Sequence, residues 1–248
     1  MARGSSQTTE AGSMTRARFS AMAGAFVILL LAGFGLGELS ESIATGPDLD
    51  AVRDLASDRS GLLTAIAHAC SRAGSSVVLV PLALVTCAIL WRRGRANSAL
   101  VVAISVAGAT AISSLDKLLV RRPRPPVHHL EAVSSASFPS GHTTQTTAFC
   151  LALLLIFLAS RPSRMLIVLA TLTAGTAIAA VATSRIYLGV HYPTDIAGGL
   201  VLGGGWTVLI RVLISHFRRC DASDQTHSGS CGRLQRANGS SRSLVGGR

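Results

Sequence analysis

The chain has 248 residues, 49% of them hydrophobic and only 14% charged, with a mean hydropathy of +0.47. A soluble domain carries about 25% charged residues, so this composition excludes an ordinary soluble globular protein. The formal net charge of +11 would suit a nucleic-acid partner, but the basic residues gather at the ends of apolar runs, which assigns most of them to membrane topology.

Residues 1–18 are rich in Ser, Thr, Gly and Arg and are expected to be disordered. Phe19–Leu39 is the first of six apolar runs near or above the length of about 18 residues that lets a helix cross a bilayer. Arg16 and Arg18 ahead of it would also suit a signal peptide, but the following GELSESIATG offers no small-x-small cleavage site, and an uncleaved helix is expected. The segment 48–72 mixes Asp50, Arg53, Asp54, Asp58 and Arg59 with Val52, Leu55, Leu62, Leu63 and Ile66. That is the composition of a helix lying at the membrane–water interface. Gly74 marks a break before the second, shorter run, Gly74–Trp91. The third is Asn97–Val120, the fourth Thr143–Ser160, the fifth Met165–Thr183 and the sixth Ile196–Phe217. Arg211, inside the sixth, can carry its guanidinium to the headgroups on a long stem. Residues 220–248 form a second segment expected to be disordered. The predicted fold is therefore an all-α, six-helix transmembrane bundle occupying residues 19–219.

Five cysteines, Cys70, Cys87, Cys150, Cys220 and Cys231, show neither C-x-x-C nor zinc-like spacing, so no disulfide framework is implied. Cys220, beside the last span, is a candidate for acylation. The basic clusters fix an orientation. Arg3, Arg16 and Arg18 precede span one, Arg92, Arg93 and Arg95 follow span two, Arg161 and Arg164 separate spans four and five, and Arg218 and Arg219 follow span six. All four places share one side, which the positive-inside rule makes cytoplasmic. Both termini are then cytoplasmic in a plasma-membrane protein, and the stretch 184–195 faces outward.

Three polar stretches lie on that outer side. The end of span three reads DKLLVRRPRPP and gathers Lys117, Arg121, Arg122 and Arg124 against the positive-inside trend. Lys117 is the only lysine in a chain with 23 Lys plus Arg. Contact with lipid headgroups would account for such a cluster, and so would an anion site. Span four opens with FPSGHTT, placing Ser140, Gly141 and His142 at or just before its first turn. The free N–H groups of a helix start bind phosphate readily, glycine allows close backbone approach, and a histidine titrates near neutrality. A simple helix cap reads the same way. The third stretch, SRIYLGVHYPTD, carries Arg185, His191 and Asp195. Asp195 can cap span six or hold Nδ1–H of His191, which would leave Nε2 free as a nucleophile. Ionisable residues at membrane depth are functional candidates. Their convergence on one side favours catalysis over a transporter that merely binds an anion or lipid, since binding alone needs neither two imidazoles nor a carboxylate to set a tautomer.

These three stretches resemble the signature of the type 2 phosphatidic acid phosphatase (PAP2) superfamily of integral membrane lipid phosphatases. Its K-x6-R-P matches Lys117 through Arg124-Pro125, its P-S-G-H matches Pro139–His142, and its S-R-x5-H-x3-D matches Ser184-Arg185, His191 and Asp195. The resemblance implies that His191 attacks phosphorus and forms a phosphohistidine, that Asp195 orients it, and that His142 protonates the leaving oxygen. Lys117, Arg124, Arg185, Ser140 and Gly141 N–H would hold the phosphoryl oxygens. It implies no metal and no cofactor, and a lipid phosphate as substrate. Arg121 and Arg122, outside the signature, are expected to help attract a diphosphate, which favours a polyprenyl diphosphate over phosphatidate or phosphatidylglycerol phosphate. His128 and His129 are expected at the surface.

Overall fold

The computed structural model describes the backbone of residues 4–43 and 45–240 and the side chains of residues 19–42 and 46–217. It contains helices α1 (Gly4–Ile43), α2 (Thr45–Ser57), α3 (Gly61–Ala73), α4 (Ser76–Arg92), α5 (Ala96–Val120), α6 (Gly141–Leu158), α7 (Arg164–Tyr187) and α8 (Pro193–Ser240), with no strand among the described residues. The chain divides into the units Met1–Arg211, which holds the helical bundle and the polar site, and Val212–Arg248. Backbone at 4–18 and 220–240 is helical where composition suggests disorder. Each segment continues an apolar helix, and extending a helix costs far less than nucleating one. The side chain of Cys220 lies outside the described residues.

Five segments are long and apolar enough to cross a membrane: Phe19–Ser42, Ala96–Val120, Gly141–Leu158, Arg164–Tyr187 and Pro193–Phe217. A sixth exists if α3 and α4, bent by 44° at their junction, count as one. The predicted second span, Gly74–Trp91, corresponds to α4, which has 17 residues and follows α3 across that bend. The interfacial region resolves into α2 and α3. Ser60 caps α3 by accepting from Leu63 N–H at 3.4 Å, and Gly74 sits at the bend against Val181 and Thr146.

Helix α5 is central and packs on α1, α4 and α6, while α7 packs on α3 and α6. Its inner stripe, including Val102, Ser105, Ala109, Ile112, Ser113 and Asp116, recurs at three- and four-residue spacing, the period of one helix face. Small residues let these helices approach closely, as membrane bundles require. At Gly203 of α8 a β-carbon would run into the backbone of Thr144 in α6. Close by, Trp206 Nε1 donates to Ile104 O at 2.9 Å. Val27, Ile28 and Leu31 of α1 and Val168, Leu169 and Leu172 of α7 point outward, as lipid-facing residues do.

At one end of the bundle the α5–α6 connection (121–140) meets α2 and the turn between α7 and α8. Arg121 adopts the left-handed conformation, φ 53°, and ends α5. Leu130 N–H donates to Leu188 O at 3.0 Å and Ser137 N–H to Arg122 O at 2.8 Å. Arg59 ties α3's leading turn to Tyr187 O and His128 O. Leu55, Leu130 and Val133 pack on a small core of Ala67, Tyr187, Leu188 and Val190. Gly189, at φ +78°, makes the turn into the next stretch. The long loop is thus pinned at several points.

Candidate active site

Asp195 is the third residue of α8 and is fully buried. Its Oδ2 lies 3.2 Å from His191 Nδ1, accepts Tyr192 N–H at 2.9 Å and accepts the Ser137 hydroxyl. The carboxylate therefore does both things its sequence position allowed: it reaches back to the start of the helix, as in a capping box, and it holds the imidazole. Oδ1 accepts Arg122 Nη1 at 2.8 Å. On the other side of His191, Nε2 stands 3.4 Å from Arg124 Nη1. Arginine only donates, so the arrangement assigns the proton to Nδ1 and the lone pair to Nε2. His191 is 2% exposed. Burial above all, with the positive charges of Lys117 and Arg124, brings its pKa down to about 3 despite the opposing pull of Asp195. The imidazole is neutral at physiological pH.

The cations come from three elements. Arg124, on the loop, donates through Nε to Ser135 O at 2.8 Å and through Nη1 to Val190 O. Burial and the charge of Arg185 lower its pKa to about 10, which leaves it cationic. Lys117, near the end of α5, donates to Ala136 O at 2.6 Å and Ser137 O at 3.2 Å, two of its three N–H groups. Arg185, in the last turn of α7, is 2% exposed. It donates to Ser71 Oγ and pairs with Glu131, while its Nε is buried without a partner. An orphaned donor on a buried guanidinium is costly and would be relieved by an acceptor from a ligand.

Helix α6 begins at Gly141, with Ser140 as its cap residue. Ser140 is fully buried, and its Oγ accepts from the Thr143 hydroxyl at 3.1 Å. A β-carbon on Gly141 would stand 3.2 Å from Ser113 Oγ and 3.9 Å from Lys117 Cε, so the helix start lies beside the lysine. His142 is partly buried, and its side chain makes no hydrogen bond among the described residues. It feels the charges of Arg185, Glu131, His191 and Lys117. All eight residues singled out in the sequence thus meet at one end of the bundle. Among the described residues, no group of three or more His, Cys, Asp or Glu is placed to hold a metal ion.

Arg122 departs from its expected part. It is 2% exposed, bonded to Asp195 Oδ1, to Thr194 Oγ1 at 2.7 Å and to Asp48 Oδ2 at 2.9 Å, and it lies 4.2 Å over the Tyr192 ring. A guanidinium shared by two buried carboxylates is not available to a diphosphate. His128 is exposed, whereas His129 is partly buried and contacts Pro125 O at 2.8 Å. Sequence reading missed Asp48, Ser71, Glu131, Ser137 and Thr194. Glu131 alone carried a signal, being the only carboxylate between Asp116 and Asp195. The others are common residues in ordinary contexts.

Comparison with known proteins is consistent over this region. Residues 98–219 match the model of the PAP2 superfamily. Decaprenylphosphoryl-5-phosphoribose phosphatase of Mycobacterium tuberculosis is 38% identical over 158 residues, 62% of this chain and 81% of that protein. Phosphatidylglycerophosphatase B of Bacillus subtilis is 30% identical over 148 residues, 57% of this chain and 68% of that protein. The crystal structure of the transmembrane PAP2 type phosphatidylglycerolphosphate phosphatase from Bacillus subtilis superimposes with a TM-score of 0.65 at 25% identity, covering 77% of this chain and 96% of that one. That of Aquifex aeolicus LpxE gives 0.56 at 22%, covering 67% and 96%, a likeness of fold.

Proposed function

The chain belongs to the PAP2 superfamily and is a membrane lipid phosphatase, and from that premise we propose a metal-independent hydrolysis through a phosphohistidine on His191. Nε2 of the neutral imidazole attacks phosphorus, the bond from phosphorus to the leaving oxygen breaks, and His142 gives that oxygen a proton. His142, now neutral, takes a proton from water. The resulting hydroxide attacks phosphorus, the P–N bond breaks, and phosphate leaves. Arrival of a phosphate dianion beside His142 favours the protonated form that the first step needs. Asp195 holds Nδ1–H and balances the charge His191 gains. Lys117, Arg124, Arg185, Ser140 and Gly141 N–H neutralise the phosphoryl oxygens, where charge stabilisation matters most. The carrying observation is His191 itself, fixed by Asp195 on Nδ1 and facing Arg124 on Nε2.

The substrate proposed is a phosphate on a polyprenyl-type lipid, processed at the outer face with its tail in the bilayer. The name of the mycobacterial relative supports that carrier. The Bacillus relative, named for phosphatidylglycerophosphate, supports a glycerolipid as the second reading. A pure transporter leaves the His191–Asp195 pair without a purpose. The test is phosphate release by purified protein in detergent with EDTA, on polyprenyl phosphates, phosphatidate and phosphatidylglycerol phosphate. Activity should persist in chelator and fall at least about a thousandfold in His191→Ala. Unchanged turnover in that variant rejects the nucleophile.

A further inference from the structure

The fold sets Glu131 against Arg185, one of the buried cations of the site. Its carboxylate takes the ion pair from Arg185 and two weak hydrogen bonds from the Ser71 hydroxyl, each 3.4 Å. Its charge reaches Arg124 and His142. The loop beneath it is anchored: Leu130 and Val133 pack on the Tyr187–Leu188–Val190 cluster, and Leu130 N–H is bonded to Leu188 O. The side chain is nonetheless 34% exposed, so an entering headgroup can meet it.

Resting on the reading that Lys117, Arg124 and Arg185 hold the reacting phosphoryl group, we propose that Glu131 is a specificity-determining residue that makes this site select a phosphomonoester and reject a diphosphate. Lys117, Arg124 and Arg185 are set against Glu131 and, beside His191, against Asp195, which also holds Arg122. The positive charge left to a ligand therefore suits a single phosphomonoester, which carries about −1.5 to −2 charge at neutral pH. A diphosphate brings a second anionic group within a few ångströms of the first, and so toward a carboxylate that its loop holds in place. Specificity arises from such repulsion as much as from attraction. The cation best placed in sequence to offset the second phosphate, Arg122, is already shared between Asp48 and Asp195.

The experiment compares wild type, Glu131→Gln and Glu131→Asp on the monophosphate and the diphosphate of one polyprenol. Wild type should favour the monophosphate in kcat/KM by about tenfold or more. The Gln variant should shift the diphosphate-to-monophosphate ratio upward by about tenfold, and Asp should keep the wild-type ratio. A wild type that prefers diphosphate, or a ratio unmoved by Gln, overturns the proposal. Should the Gln variant be inactive, inhibition of wild type decides: methylenediphosphonate binding no tighter than methylphosphonate supports it, and clearly tighter binding overturns it. A wild type that releases phosphate from no lipid phosphate brings down the underlying catalytic reading, a result separable from a changed or unchanged ratio.

Discussion

At the scale of single residues, the site is a neutral histidine buried among charges. Below pH 6.5 the unfolded chain gains a proton on a free imidazole, whereas folded His191, with a pKa of about 3, does not. The unfolded state therefore binds more protons, and stability falls as pH drops through the window from about 6.5 to about 3, by about 1.4 kcal/mol per unit from this residue. At pH 5 the deficit is about 2 kcal/mol relative to neutral. Thermal unfolding in detergent at pH 7 and pH 5 should show that loss in wild type and a smaller one in His191→Asn. Equal acid sensitivity in both proteins would contradict the buried neutral imidazole.

At the scale of elements, the proposed mechanism depends on how closely α6 and α8 lie together, since one carries His142 and the other opens with Asp195 just after His191. Gly203 is the glycine of α8 that comes closest to the α6 backbone among those described. Gly203→Ala should cost about 1–3 kcal/mol through overpacking and lower turnover by displacing both histidines. Gly204→Ala is the control, because its β-carbon would meet Thr147 Cγ2 at an ordinary 3.8 Å. That change should be neutral or gain up to about 1 kcal/mol from helix propensity. Melting temperatures and kcat of the pair check this, and equal effects would refute it. The bundle was legible in the sequence because apolar runs of membrane length have few other fates. The bent α3–α4 pair was not: hydropathy registers length and apolarity but not the direction of an axis. The motif residues were legible because each carries unusual chemistry in a bare apolar setting. Asp48 was not, since one acid in a stretch that includes Asp50, Asp54 and Asp58 gives no sign that it alone turns inward.

At the scale of the whole molecule, we propose the orientation that the arginines between spans favour. A reporter fused after Arg219 should read cytoplasmic, and an epitope tag within 126–136 should be labelled from outside intact cells. An externally exposed C-terminus would reverse the proposed sidedness and place the phosphatase site on the cytoplasmic leaflet. The bridge from Asp48 through Arg122 to Asp195 has a consequence for what counts as the working unit. Asp48 precedes the family-matched region, residues 98–219. A chain trimmed to that region would retain all three signatures, yet its Arg122 would lean on Asp195 with undivided charge and loosen the carboxylate's hold on His191. The proposed site therefore draws on a residue upstream of the region that the family signature matches.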